Sequence, residues 1–206
     1  SLFFGDPHHP ATFHRQKLVL HRASLAAYAD RLRGCGFAVD LQTYQPGHTL
    51  ADVLREQARA GVTELHLADP VDDLLVRRLE RARHALGLRV VKYDTPMFLT
   101  PRAWAADFFA REKGYRMARF YVAQRRRMNL LMQDGGPAGG QWSFDADNRR
   151  KLPRGLVVPP FHKPAVTPGV REALRTVARD FPDAPGRADG FWFPVTHAQA
   201  EAALHD

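Results

Sequence analysis

Basic side chains flank a glycine-rich segment in the middle of the chain. Three consecutive arginines come before two glycine pairs, and three further basic residues come after them. A planar guanidinium can donate to two phosphate oxygens at once, and glycine lets backbone N–H groups approach a ligand closely. Such contacts add affinity and salt dependence without selecting a base sequence. The spacing therefore predicts a nucleic-acid-binding surface, and its residues are Arg125, Arg126, Arg127, Arg149, Arg150 and Lys151.

The distribution of charge agrees with that prediction. Between residues 113 and 154 the chain carries ten Lys or Arg and three Asp, a surplus of seven in a protein whose net charge is +8. A basic stripe of this kind is typical of proteins with a polyanionic partner. A solvated helix face followed by a charged loop has the same composition, so both interpretations stay open at this point.

Two aromatic residues, Trp142 and Phe144, lie inside the same segment. A ring can stack on an unpaired base, which is worth roughly 1–3 kcal/mol. A long loop also needs an apolar anchor, and we expect both rings to serve as that anchor. Four aromatic residues further upstream have helical spacing and are predicted to lie in the core: Phe108, Phe109, Phe120 and Tyr121.

Polar side chains that follow the predicted strands indicate a second candidate site. Ligands of open parallel sheets bind beyond the carboxyl ends of the strands, where a chromophore or a nucleotide-like molecule fits by topology. An empty cleft and helix N-caps are the alternatives. Neither G-x-G-x-x-G nor G-x-x-x-x-G-K-[ST] occurs, so no phosphate-binding loop of known type is expected. The candidate residues are Gly5, Asp6, His8, His9, Tyr44, Asp69 and Asp94.

Patterns for metal binding and catalysis are absent from the sequence. His8, His9 and His14 lack a carboxylate or thiol partner at ligand spacing. The single cysteine, Cys35, cannot form an intrachain disulfide or a four-cysteine cluster. We therefore predict no metal site and no catalytic residue. One cysteine also fits a reducing compartment, so a cytoplasmic location is expected.

The elements that must position these residues alternate between strands and helices over the first half of the chain. The predicted strands are 1–4, 37–44, 62–69 and 88–94. The predicted helices are 13–34, 50–60 and 71–86. Short connections of this kind produce βαβ units with right-handed crossovers. The predicted fold class is therefore α/β, with a Rossmann-like parallel sheet flanked by helices.

Beyond residue 96 the pattern becomes helical, then irregular, then helical again. Five prolines between residues 153 and 168 indicate an extended connector. Thr49, with Asp52 three residues later, and Thr196 are predicted helix N-caps. No run of about 18 apolar residues occurs, so no membrane-spanning helix is predicted. The further predicted helices are 102–110, 115–131, 168–181 and one that begins after Thr196.

Several segments, in order along the whole chain, resemble one family. They are "LFFGDPHHPATFHRQKLVLHRASLAAYADRLRGCG", "TPMFLT", "ARFYVAQRRRMNLLM" and "GGQWSFDADNRRKLP". Together they resemble the deoxyribodipyrimidine photolyase-related proteins, the bacterial and archaeal branch of the cryptochrome/photolyase superfamily. The most specific part is the glycine–Trp–Phe–Asp–Asn–Arg block at 139–149.

The resemblance implies three regions. They are an antenna-type α/β domain at 1–112, a basic helix and interdomain linker at 113–167, and a linker helix with the start of an all-helical FAD domain, here truncated, at 168–206. The family's first strand has no counterpart here, so the sheet is expected to lack one strand. Full-length members carry FAD and a [4Fe–4S] cluster. That implies a DNA photolyase which repairs pyrimidine photolesions by light-driven electron transfer from FAD, the (6-4) type being one candidate lesion.

In that interpretation the chain alone is inactive and serves as antenna or scaffold and as a DNA-facing loop. Its implied partners are double-stranded DNA with a photolesion and its own C-terminal FAD domain, with no membrane. The lumazine antenna of some members needs an acidic residue and a tyrosine where this chain has Pro7-His8-His9-Pro10, and His21 replaces a small pocket wall, so lumazine is not expected. The alternative is a non-enzymatic nucleic-acid-binding α/β module, and a nucleotide-binding sensor is a weaker third interpretation.

Overall fold

The computed structural model describes residues 12–157 and 163–205 of the protein. Within those residues the chain forms seven α-helices, two two-stranded sheets and one 3₁₀ turn. The helices are α1 (Arg15–Gly34), α2 (Leu50–Arg59), α3 (Asp73–Leu86), α4 (Arg102–Arg111), α5 (Met117–Met128), α6 (Pro168–Asp180) and α7 (His197–His205). The strands are β1 (Glu64–Ala68), β2 (Arg89–Tyr93), β3 (Met132–Gln133) and β4 (Gly136–Pro137), and the 3₁₀ turn spans Asp147–Arg149.

Strands β1 and β2 are parallel and are joined by α3, which confirms the α/β fold class. The Arg89 N–H donates to the Thr63 carbonyl at 3.0 Å, and further along the Asp69 N–H donates to the Tyr93 carbonyl at 2.8 Å. The bonds advance in the same direction on both strands, as a parallel ladder requires. The predicted strands at 62–69 and 88–94 are thus confirmed, each one to two residues shorter at its ends.

The predicted strand at 37–44 is wrong, because this segment is irregular backbone. Its alternating polarity fits a half-buried strand, but a strand also needs neighbours for its backbone groups. Here the Phe37 N–H donates to the Leu32 carbonyl at 3.1 Å, which completes the end of α1, and the Val39 carbonyl accepts from the Arg33 side chain. Phe37 is 63% exposed, so no face of the segment is buried as a strand would require. The predicted strand at 1–4 lies outside the described residues.

The predicted N-caps form as expected. Thr49 and Asp52 make a reciprocal capping box at the start of α2, with the Thr49 N–H donating to Asp52 Oδ2 at 2.9 Å and the Asp52 N–H to Thr49 Oγ1 at 3.4 Å. The bonds from the side chain and the N–H of Thr49 hold the pKa of the Asp52 carboxyl well below its usual range. Thr196 accepts from the Gln199 N–H at 3.1 Å at the start of α7. Each such cap stabilises its helix by about 1 kcal/mol.

The chain separates into two compact units. Unit 1 comprises Ser1–Thr63, Asp73–Arg89 and Pro159–Asp206, and unit 2 comprises Glu64–Asp72 and Val90–Val158. The strand β1 and nearly all of β2 therefore belong to unit 2. Unit 2 also contains α4, α5 and the glycine-rich loop.

The core of unit 1 lies between α1 and α6, which pack against each other from opposite ends of the sequence. Leu18, Val19 and Ala23 of α1 meet the buried face of α6, and the segment after α6 closes the core. Val19 and Val177 are almost completely buried, at 0% and 1% exposure. Each buried aliphatic side chain contributes about 1.5–3 kcal/mol. The other buried members of this core are Val170, Ala173, Phe191 and Val195.

Unit 2 is held by aromatic rings on α4 and α5. Phe108 lies 5.4 Å from Trp104 and 5.5 Å from Phe120, measured between ring centroids, and Phe109 stacks on Phe120 at 5.1 Å. These rings are only partly buried, and α4 has no fully buried residue. Tyr121, predicted as core, is 45% exposed, so that prediction is wrong. The helical spacing thus predicted that these rings cluster, but they are less buried than a core position requires.

Candidate functional site

The last turn of α5 carries three consecutive arginines, which places them at the negative end of the helix dipole. Asn129 follows in the left-handed conformation with φ 52° and ends the helix. Successive helix residues point about 100° apart, so three neighbouring arginines cannot share one environment. The structure shows three different environments.

Arg125 is buried, with 6% of its surface exposed. Its Nε donates to the Leu130 carbonyl at 3.3 Å, and its Nη2 donates to the Leu131 carbonyl. The guanidinium also lies over the rings of Tyr121 at 5.4 Å and Trp142 at 5.2 Å. The Arg125 guanidinium, which was predicted to contact phosphate, thus contacts carbonyls and aromatic rings of unit 2.

Arg126 and Arg127 are exposed but differ in their contacts. Arg126 lies over the Trp142 ring at 4.9 Å, and among the described residues no side chain or carbonyl accepts a hydrogen bond from it. Arg127 donates from Nε to Gln124 Oε1 at 3.0 Å and from Nη2 to the Leu99 carbonyl at 3.1 Å. Arg126 therefore keeps its donors for a ligand, whereas part of the Arg127 fork is already used.

The loop after α5 folds back as a short hairpin of β3 and β4. Met132 pairs with Pro137 and Gln133 with Gly136, and the two-residue turn is Asp134-Gly135. Both turn residues have positive φ, 50° and 77°, as the tight hairpin turn for an Asp-Gly pair requires. The sequence interpretation missed this hairpin, although Asp-Gly is its strongest short-range signal.

Three non-glycine residues of this loop, Asn129, Leu131 and Asp134, adopt left-handed backbone conformations. Asparagine and aspartate tolerate that region, but a leucine there costs about 1–2 kcal/mol. The Leu131 side chain is 68% exposed, so its burial does not compensate for the cost. The Leu131 carbonyl accepts from the Ala138 N–H at 2.8 Å and from Arg125 Nη2, and these two bonds hold the residue in place.

The two predicted anchor rings differ, because Trp142 packs the loop onto α5, whereas Phe144 is 45% exposed and contacts Gly139 of the same loop. Trp142 packs against the guanidinium groups of Arg125 and Arg126 on α5. Phe144 covers Gly139, where an added Cβ would lie 2.9 Å from the Phe144 ring. Gly139 has φ +78°, so glycine is required there both for the backbone and for the ring.

The downstream basic residues are all exposed. Arg149 ends the 3₁₀ turn, and Arg150 pairs with Asp147 at 2.9 Å between Nη2 and Oδ1. An exposed pair of this kind contributes little and is easily exchanged for a phosphate. Lys151 follows with its ammonium in solvent. The exposed cations of this surface are thus Arg126, Arg127, Arg149, Arg150 and Lys151, and we call them the basic surface.

The second candidate site is only partly described. Gly5, Asp6, His8 and His9 lie outside the described residues. In unit 2, Asp69 Oδ2 forms an ion pair with Arg102 Nη2 at 2.9 Å, with 12% of the Asp69 side chain exposed, and Asp94 is exposed.

Tyr44, the remaining described residue of this candidate site, belongs to unit 1, where its ring lies 4.7 Å from that of Phe181. Asp69 and Tyr44 are thus engaged by neighbours within their own units. Among the described residues, the predicted members of this site therefore do not line a common pocket.

Unit 1 contains a cleft of about 650 Å³ that the sequence interpretation missed. Leu25 and Tyr28 of α1 and Ala200 of α7 form its apolar walls. At one end Arg31 Nη1 lies 2.9 Å from His197 Nδ1. No sequence pattern predicts this cleft, because the residues that line it come from segments far apart in the chain.

The described residues also bear on metal-dependent and membrane-bound classes of function. Within them, no three His, Cys, Asp or Glu side chains are grouped so that they could hold a metal ion. None of the described helices combines the length and hydropathy needed to cross a membrane. The one cysteine, Cys35, is exposed at the C-terminal cap of α1.

Comparison with known proteins gives a family and two relatives. A family model described as deoxyribodipyrimidine photo-lyase-related protein matches residues 6–193. A (6-4) photolyase from Agrobacterium fabrum is 28% identical over 195 residues, which cover 93% of this chain and 38% of that protein. An uncharacterized protein of Acanthamoeba polyphaga mimivirus is 26% identical over 164 residues, which cover 77% of this chain and 82% of that protein.

The chain therefore spans well under half of the length of the photolyase that it matches. The family model, in contrast, covers nearly all of the chain, including both units and the glycine-rich loop between residues 129 and 149. The chain belongs to the family of deoxyribodipyrimidine photo-lyase-related proteins.

Proposed function

We propose that this chain is the DNA-facing and α/β part of a photolyase that repairs pyrimidine photolesions by light-driven electron transfer from FAD. Family membership and the likeness to a (6-4) photolyase support a photolyase-like role. The observation that carries the DNA-facing part is the basic surface on unit 2. Its cations precede and follow, along the chain, a loop that Trp142 packs onto α5.

The basic surface suits duplex DNA for electrostatic reasons. Phosphates of the duplex carry one negative charge per about 1.7 Å of helix axis, and each neutralised phosphate releases counterions. Arg126, with no acceptor among the described residues, is the strongest of the proposed contacts. Arg149, Arg150 and Lys151 follow the anchored loop and extend the surface beyond α5.

The cofactors are assigned outside this chain, because its residues do not fit them. A [4Fe–4S] cluster needs four thiolates, and the chain has one cysteine, which is exposed at a helix end. No glycine-rich phosphate-binding loop follows either described strand of the parallel pair. FAD supplies the electron in photolyases, and its site belongs in this proposal to the 62% of the (6-4) photolyase that lies outside the match. The 206 residues alone are therefore expected to be inactive.

A non-enzymatic nucleic-acid-binding module is the second candidate function. One observation favours it: the basic surface and both of its anchoring rings lie within unit 2, so binding would need no cofactor. The two candidates share the DNA contact and differ in whether light changes the DNA.

The deciding experiment measures loss of the lesion from an ultraviolet-irradiated duplex. The protein purified at its native length, with flavin reduced, is incubated with the duplex in blue light and in darkness, and the remaining lesion is quantified by mass spectrometry. Loss in light alone supports the photolyase. Tight binding with no loss in light supports the binding module, and absence of binding at low salt removes both. The 206-residue chain alone serves as the inactive control.

A further inference from the structure

We propose that Arg125 is a positioning residue that fixes the glycine-rich loop so that the basic surface can meet DNA, and that it is not itself a phosphate contact. The inference rests on the proposed function for the identity of the ligand. The first part of the proposal, that Arg125 holds the loop in place, can be tested without DNA.

The first argument is burial together with the partners of the charge. Arg125 is 6% exposed, and no carboxylate among the described residues neutralises it. A buried charge is costly unless hydrogen bonds and dipoles compensate for it. Here the compensation comes from the carbonyls of Leu130 and Leu131 and from the faces of Tyr121 and Trp142. A guanidinium is weakly hydrated and planar, which suits such a site better than an ammonium does.

The second argument is the backbone that Arg125 holds. Leu131 is left-handed and its side chain is 68% exposed, and Leu130 is 43% exposed. Neither leucine is held by burial, so their conformation depends on hydrogen bonds. Arg125 accounts for the side-chain bonds to both carbonyls. Losing them leaves the backbone bonds of the Leu130 N–H to the Arg125 carbonyl at 3.0 Å and of the Ala138 N–H to the Leu131 carbonyl at 2.8 Å. It removes the side-chain bonds that add to these in holding the left-handed backbone just before β3.

The third argument links the two ends of the loop. Trp142 stands thirteen residues after Asn129, and its ring is bracketed by Arg125 and Arg126. Arg125 thus contacts the first residues of the loop and its anchoring ring at the same time. Without it, residues 129–142 would have to be ordered when DNA binds, and that ordering lowers affinity.

Arg126 provides the matched control, because it carries the same charge on the same turn and lies over the same ring. It differs in being exposed and in lacking bonds to the loop carbonyls. Removing a direct phosphate contact is expected to weaken binding uniformly and to reduce the salt slope by about one. Removing a positioning residue disturbs the loop before any DNA is present.

The experiment compares Arg125→Lys, Arg125→Ala, Arg126→Lys and Arg126→Ala in the full 206-residue chain. Amide hydrogen exchange of residues 129–142 is measured without DNA, and duplex affinity is measured across a range of salt concentrations. We expect Arg125→Lys to raise exchange in the loop and to increase Kd by about tenfold, since Lys keeps the charge but has one nitrogen in place of the Nε and Nη2 that reach the two carbonyls. Arg126→Lys should leave exchange in residues 129–142 at the wild-type level, and Arg126→Ala should lower the salt slope by about one.

Two results would overturn the proposal. One is wild-type exchange in residues 129–142 for Arg125→Lys and Arg125→Ala. The other is a normal affinity for Arg125→Lys together with a salt slope lowered by about one in Arg125→Ala, which is the signature of a direct phosphate contact. Unchanged exchange in α4 and β1 of unit 2 shows that each variant is folded around the loop. If the wild type fails to bind duplex at low salt, the proposed function fails, while the exchange data still decide the role of Arg125.

Discussion

The core of unit 1 and the loop of unit 2 are stabilised by different physics. In unit 1, aliphatic side chains of α1 and α6 are removed from water, and that stabilisation has no direction and little dependence on salt. In unit 2, guanidinium groups lie over aromatic rings and donate to loop carbonyls, so distance and angle matter. In unit 2, arginines therefore stabilise the loop, and neighbouring arginines on the same helix are proposed to bind the polyanion.

A cavity in unit 1 should give the largest effect. Leu18→Ala removes a side chain that is 6% exposed in the α1–α6 core, and we expect a loss of about 2–5 kcal/mol in the free energy of unfolding. Urea unfolding followed by circular dichroism measures it. Leu204→Ala, at a position 81% exposed, is the control and should change stability by less than about 0.5 kcal/mol. Equal losses of unfolding free energy for both variants would show that burial in the α1–α6 core is not what stabilises unit 1.

Removing the exposed cations of unit 2 should affect binding and leave folding unchanged. For the combined Arg126→Ala, Arg149→Ala and Lys151→Ala variant we expect the slope of log affinity against log salt to fall by about one per residue. Fluorescence anisotropy with a labelled duplex measures this slope. Arg59→Ala in α2 of unit 1 is the control and should leave the slope unchanged. If Arg59→Ala alters it as much, the binding surface is not confined to unit 2.

Two glycines of the loop offer a sharper test of its packing. Gly139 and Gly140 share φ +78°, but an added Cβ meets the Phe144 ring only at Gly139, and nothing within 4 Å at Gly140. Both alanine variants carry the cost of the left-handed backbone, and Gly139→Ala should cost about 1 kcal/mol more because the ring must move. Hydrogen exchange around residues 139–144 and duplex affinity report the difference. Equal behaviour of the two variants would show that Phe144 does not anchor the loop.

The smallest effect concerns the dependence of unit 1 on pH. The pKa of Asp52 is lowered chiefly by the hydrogen bonds from Thr49. A carboxylate whose folded-state pKa lies below its unfolded value stabilises the fold above the unfolded value, and that contribution is lost as pH falls below about 4. Thermal unfolding between pH 3 and 7 should therefore show a smaller acid-induced drop for Asp52→Asn than for the wild type. Thr49→Ala, which removes the side-chain bond that lowers this pKa most, should also show a smaller acid-induced drop than the wild type.

Local signals predicted the helices and the parallel pair of strands well. Thr49 and Thr196 cap where expected, because a cap depends on residues within one turn. The strand predicted at 37–44 was wrong, because a strand requires a partner, and no local pattern specifies whether one is present. The α1–α6 core and the cleft beside it also depend on contacts between distant segments.

Of the three adjacent arginines predicted to bind nucleic acid, the structure buries Arg125 and exposes the other two. Three adjacent arginines look alike in sequence, yet helix geometry separates them by about 100° each. Tyr121 stands four residues before Arg125, a spacing that puts both on one face of α5 and lets the ring meet the guanidinium. The Asp134-Gly135 pair is a sequence signal for the β3–β4 hairpin. The carbonyls that Arg125 contacts could not be predicted, since the left-handed conformation of Leu131 follows from the packed loop.

The bracketing of Trp142 by two guanidinium groups has an optical consequence. The emission of an indole depends on nearby charge, and here one of the two charges is the residue most available to DNA. When a phosphate draws Arg126 away from the ring, the fluorescence of Trp142 should change while that of Trp192 in unit 1, stacked 4.4 Å from Phe193, should not. Trp104 of unit 2 lies under Arg127 at 5.1 Å, so a Trp104→Phe variant leaves Trp142 as the reporter of the proposed DNA contact in that unit.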